Sequence, residues 1–76
     1  MNVLIIEDET AAAANLQAIL RKVAPSYNVL TVLESIEESV DFFTDPEQTQ
    51  PDLVFMDIHL ADGESFHIFD KVEISA

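Results

Sequence analysis

LVFMDIHLADG, residues 53–63, sets a carboxylate directly after four apolar side chains. An apolar run this short, bounded by Pro51 before it and Asp62-Gly63 after it, reads as a buried strand covered on both faces. Asp57 then stands at the strand's carboxyl end. In a parallel sheet that edge is where ligands bind, so the deciding question is which other groups the chain brings there.

The first ten residues, MNVLIIEDET, supply them. Val3 to Ile6 is a continuous β-branched and leucine run, a second buried strand, and Glu7-Asp8-Glu9-Thr10 breaks it. A helix is expected next. Ala13, Leu16, Leu20 and Val23 form one apolar stripe, Pro25 marks where that helix has ended, and acids at its start suit the positive end of the helix dipole.

Residues 28–33, NVLTVL, read as another strand, and Ser35-Ile36-Glu37-Glu38 matches the serine-to-glutamate capping box of a helix start. Ile36, Val40 and Phe43 share one face of that helix. Residues 45–50, DPEQTQ, form a polar loop, and a third helix from about Glu64 is expected to bury Phe66, Phe69 and Val72. The alternation of strand and helix points to an α/β fold with a parallel sheet and right-handed crossovers.

The bulk numbers narrow the function. At 76 residues and 49% hydrophobic the chain is ordered in composition but small, and no cysteine is present, which fits a reducing cytoplasm. Fifteen acids against three bases give a net charge of −12, a surface that repels nucleic acid and anionic lipid. The longest apolar run is far short of the ~20 residues a membrane span needs, and a basic signal-peptide flank is missing. No nucleic acid and no membrane is therefore expected as a partner of this segment.

If the first and third strands are parallel neighbours, Glu7, Asp8 and Asp57 converge on one edge. Like charges so placed raise one another's pKa and call for a counter-cation, and hard oxygen ligands with room for water suit Mg²⁺. One carboxylate of such a set is also a possible nucleophile toward a phosphoryl group, giving an aspartyl-phosphate. Asp57 stands alone at its strand end and fits that role; Glu7 and Asp8 fit a ligand pair, and the backbone carbonyl of His59 could add a further ligand. Each acidic motif alone could be a solvated turn. Their joint occurrence at matching strand ends argues against that.

VLIIEDE followed about fifty positions on by LVFMDIHLADG resembles the receiver domain of two-component response regulators over all 76 residues. The ESIEESVDFF and SFHIF stretches are most similar to the LytR/AlgR (LytTR) type. The resemblance implies a flavodoxin-like fold, a doubly wound parallel sheet of which this chain holds the first three strand-helix units in the order 2-1-3; a receiver is among the standard examples of that fold. It implies a phosphoacceptor at Asp57, Mg²⁺ held chiefly by Asp8 with help from Glu7, Asp57 and the His59 carbonyl, and a sensor histidine kinase or small phosphodonor as partner. It further implies a cytoplasmic signalling protein acting as a switch rather than an enzyme, and a separate DNA-binding output domain in an intact protein. Ala61 stands where many members have proline, and the family's later hydroxyl and lysine partners of the phosphoryl group fall beyond Ala76.

Two other readings stand beside it. A haloacid-dehalogenase-like phosphohydrolase fragment also uses a strand-end aspartate and Mg²⁺, but needs a second aspartate two positions on, where this chain has His59. A non-phosphorylated pseudo-receiver would act by protein contacts alone. His67 reads as a partly exposed histidine without a role, and Phe42 and Phe43 as core.

Strand starts at Val3, Asn28 and Leu53 are 25 positions apart, so a fourth strand is expected near position 78. Glu73-Ile74-Ser75-Ala76 offers no turn or cap, and residues 1–76 therefore read as the N-terminal part of a receiver domain. An apolar third strand at a sheet edge would then favour a homo-oligomer of the chain.

Overall fold

The computed structural model describes residues 1–72; the expected ending at 73–76 lies outside the described residues. Three strands form a parallel sheet: β1 (Asn2–Ile6), β2 (Asn28–Leu33) and β3 (Leu53–Met56), in the order β2-β1-β3. Helix α1 (Thr10–Val23) connects β1 to β2, and α2 (Ile36–Thr44) leads from β2 toward β3. This is the α/β arrangement expected, with the strand order of a flavodoxin-like sheet. Its consequence for function is that the carboxyl ends of β1 and β3 lie side by side, Ile6 paired with Met56.

The central strand carries the core. Val3, Leu4, Ile5 and Ile6 are each fully buried. Alternation along β1 sends Leu4 and Ile6 into one cluster, with Ile36, Phe42, Leu60 and Ile68, and Val3 and Ile5 into another, with Leu20. β3 is divided likewise: Val54 and Met56 pack on the first cluster, Leu53 and Phe55 on the second. All four residues of β3 are only half-buried, because among the described residues β3 pairs with β1 alone.

The β1–β2 register slips once. Val3 pairs with Val29 but Leu4 pairs with Thr31, so β2 carries one residue more than its partner at this point. Leu30 and Leu33 consequently pack on one cluster and Val29 and Val32 on the other, a spacing of three where an unbroken strand would alternate by two.

The helices follow their expected starts more closely than their expected faces. Ser35 caps α2, its side chain accepting from the Glu38 N–H at 3.0 Å, while Glu38 returns a carboxylate to the Glu34 N–H at 2.8 Å. Ile36 is buried as expected, together with Ser39 and Phe42; Val40 and Phe43 pack at the margin. In α1, Ala13 and Leu20 are buried and Leu16 partly so, whereas Val23 is 70% exposed because the last turn runs past the sheet. The acids before α1 precede it rather than occupy its first turn, and the Glu9 side chain makes no capping bond.

The segment after β3 departs most from expectation. Residues 59–64 fold back as a minimal antiparallel hairpin, β4 (His59–Leu60) with β5 (Gly63–Glu64), and Ser65–Asp70 is a 3-10 helix rather than an α-helix. Its tighter winding of three residues per turn rotates the faces. Ile68 is fully buried beneath it, while Phe66 and Phe69 are 51% and 56% exposed, contrary to the expected burial of both. Val72 does pack against the core. No helix among the described residues is long and apolar enough to cross a membrane.

Candidate functional site

Two backbone bonds square off the edge where β1 and β3 end. The Glu7 N–H donates to the Leu33 carbonyl at 2.8 Å, and the Asp57 N–H donates to the Ile6 carbonyl at 2.9 Å. Glu7 and Asp57 are therefore extensions of the sheet's own hydrogen bonding, held as firmly as strand residues, and Asp8 follows on the turn toward α1.

One carboxylate oxygen each from Glu7, Asp8 and Asp57 lies within 4.8 Å of the other two. The three acids singled out from the sequence are thus brought together in space. Glu7 and Asp57 also line an open groove of about 330 Å³, whose other walls are Ile5, Ile6, Ala12, Leu16, Phe55 and Met56. Desolvation against these walls raises the Glu7 carboxyl above its ordinary range; the Glu9 N–H bond opposes this, and Asp57 and Asp8 add to the rise through their charge. Glu7 accepts that Glu9 N–H at 3.3 Å. A set of hard, anionic oxygens with an open side fits a Mg²⁺ ion, which keeps several waters and takes one or two carboxylates.

His59 lies in β4, with its side chain exposed. The Ser65 N–H bonds to the Ile58 carbonyl at 2.7 Å, so in an alternating antiparallel ladder the His59↔Glu64 pair occupies a non-hydrogen-bonded position. The hairpin therefore does not use the His59 carbonyl. His67 lies in the 3-10 helix, its Nδ1 3.3 Å from Asp70, in an exposed pair.

The residue missed in the sequence is Asp62. Read there only as part of an Asp-Gly turn, its carboxylate in fact accepts from two amides of α2, Ile36 N–H at 2.8 Å and Glu37 N–H at 3.1 Å. The Ile36 bond holds the Asp62 carboxyl below its usual range; desolvation opposes it, and the weaker Glu37 bond adds to the lowering. A partner twenty-five residues away leaves no local spacing signal, so only the turn chemistry was legible.

Comparison with known proteins gives one informative likeness. No family model and no solved structure matches the chain. The sensory transduction protein LytT of Enterococcus faecalis is 32% identical over 72 residues, which make up 95% of this chain but 28% of that relative. Nearly all of the present chain, with its acidic strand ends, is therefore related to a limited stretch of a protein of sensory transduction.

Proposed function

We propose that the chain is a phosphoacceptor receiver of two-component signalling, in which Asp57 is the nucleophile and Mg²⁺ binds at Asp8, Asp57, Glu7 and the His59 carbonyl. The observation that carries this is the convergence of three carboxylates at the carboxyl edge of two adjacent parallel strands. The likeness to a sensory transduction protein supports it, with a sensor histidine kinase or small phosphodonor as the source of phosphate.

The chemistry asked of the chain is a single displacement. An Asp57 carboxylate oxygen attacks the phosphorus of the donor, a P–O bond forms to Asp57, the bond to the donor's leaving nitrogen or oxygen breaks, and that group leaves with the electron pair to be protonated by water. Mg²⁺, when bound, neutralises charge on the transferring oxygens. The backbone bond from the Asp57 N–H to the Ile6 carbonyl fixes where the attacking carboxylate begins. Glu7 and Asp8 supply the negative oxygens that make the edge selective for a cation.

A haloacid-dehalogenase-like phosphohydrolase would need a second aspartate two residues after the nucleophile. His59 stands there, and the nearby Asp62 carboxylate is engaged by α2. The role is therefore that of a switch, with no turnover reaction and with output through a part of the protein other than this edge. Incubation with acetyl phosphate and Mg²⁺ followed by intact-mass measurement tests it. One phosphoryl group should appear on the parent and none on Asp57→Asn or in the presence of a chelator; labelling of Asp57→Asn to the parental extent would remove the assignment.

A further inference from the structure

The segment that follows Asp57 is tied to α2 at several points. Asp62 accepts from the Ile36 and Glu37 N–H groups, two amides of the first helical turn that have no partner within the helix. Next to it Gly63 has φ of +140°, and a Cβ built there would stand 3.1 Å from Ile36 Cδ1, so the backbone is pressed against the same helix end. Leu60 is buried in the cluster that contains Ile36, and the Ser65 N–H bond to Ile58 closes the hairpin.

These contacts are more than a helix cap. α2 already has its local cap in Ser35 and Glu38. Asp62 adds a bond across 25 to 26 residues of chain, between the helix that follows β2 and the hairpin that carries His59. Of the residues between Asp57 and the 3-10 helix, Leu60 is the only one buried, so the hairpin rests on one apolar anchor and this polar one.

We propose that Asp62 is a positioning residue: by accepting from the Ile36 and Glu37 amides it seats the β4–β5 hairpin on α2 and so fixes the His59 carbonyl relative to the Asp57 carboxylate. The inference rests on the assignment of that edge as a Mg²⁺ site. By linkage it runs both ways: a cation that orders the hairpin also strengthens the hold on the start of α2, and loss of that hold weakens the cation.

The experiment is an NMR titration with MgCl₂ of the parent, Asp62→Ala and Asp62→Asn, with amide exchange followed at Ile36 and Glu37. Both substitutions remove the charge, but asparagine keeps one acceptor oxygen. Asp62→Ala should bind Mg²⁺ about tenfold more weakly, as supporting residues around metal ligands commonly do, with Asp62→Asn clearly tighter than Asp62→Ala. In the parent, Mg²⁺ should slow exchange at Ile36 and Glu37. Equal losses in the two variants would mean that charge alone acts, and parental affinity in Asp62→Ala would mean that the hairpin is seated without it; either overturns the proposal. Absence of Mg²⁺-induced shifts at residues 7, 8 and 57 of the parent would instead overturn the metal site, and this inference with it. Should Asp62→Ala lose its dispersed spectrum, Gly63→Ala serves in its place, since it disturbs the same seat and keeps the charge; unchanged affinity there would equally overturn the proposal.

Discussion

Removing one of the three clustered charges should make the metal-free protein more stable. With one oxygen of each carboxylate within 4.8 Å of the others, two unit charges repel by about 0.9 kcal/mol or more in the dielectric of water. Asp57 takes part in two such pairs, and at physiological salt, with a Debye length of about 8 Å, roughly half of that repulsion survives. About 1 kcal/mol therefore remains, of which little exists in the unfolded chain, where Asp57 is fifty positions from Glu7. Asp57→Asn keeps the shape and removes the charge. In chelator, urea unfolding followed by far-UV circular dichroism should show a gain of about 1 kcal/mol, or roughly 4–8 °C in thermal midpoint for a domain of this size. Mg²⁺ should stabilise the parent by mass action and the variant less, so the gap closes or reverses as the metal is added. A neutral or destabilising effect of Asp57→Asn without metal would show that the carboxylates do not repel, and the case for a counter-cation would fall with it.

Three further outcomes follow from particular residues. Ile68→Ala should cost about 2–5 kcal/mol by cavity formation, while Phe69→Ala, at a half-exposed position, should cost much less; denaturant melts in which Phe69→Ala is the worse of the two would mean that the 3-10 helix presents its other face. Asp8→Ala should weaken Mg²⁺ more than Glu7→Ala by NMR titration, and affinity should fall with acidification as protons occupy the raised Glu7 carboxyl; equal losses, or pH-independent binding across the acid range, would contradict this division. Asp62 titrates in the opposite sense: its depressed pKa contributes stability above its ordinary value that is lost as pH falls through the depressed one, so Asp62→Asn should flatten the acid limb of the stability curve measured by thermal melts.

The sheet was legible because buried parallel strands leave continuous apolar runs, and the ends of all three runs fall where the strands end. The start of α2 was legible because capping is local: serine and glutamate stand three residues apart and need no knowledge of the rest of the chain. The three acids were legible as candidates because strand ends can be read and parallel strands align their ends. What could not be read was whatever depends on contacts distant in sequence. SFHIF offers apolar residues at positions compatible with either helical pitch, and only the seat beneath Ile68 selects the tighter winding that turns Phe66 and Phe69 outward. Val23 continues the α1 stripe in sequence, but the sheet does not extend far enough to cover it. Asp62 looked like a turn residue because its amide partners belong to another helix.

The register slip in β2 has a consequence for how chain length can vary in this fold. Leu30 has no partner on β1, while Ile5↔Val32, Ile6↔Leu33 and the bond from the Glu7 N–H to the Leu33 carbonyl all lie beyond the slip. Loss of the exposed Thr31 would leave NVLVL, a run that alternates faces without interruption and still delivers Leu33 opposite Ile6. A one-residue deletion is thus absorbed upstream of the acidic edge, at the one point of the central ladder where counting can change without moving a carboxylate. The same deletion placed in β1 or β3 would turn every later side chain to the wrong face.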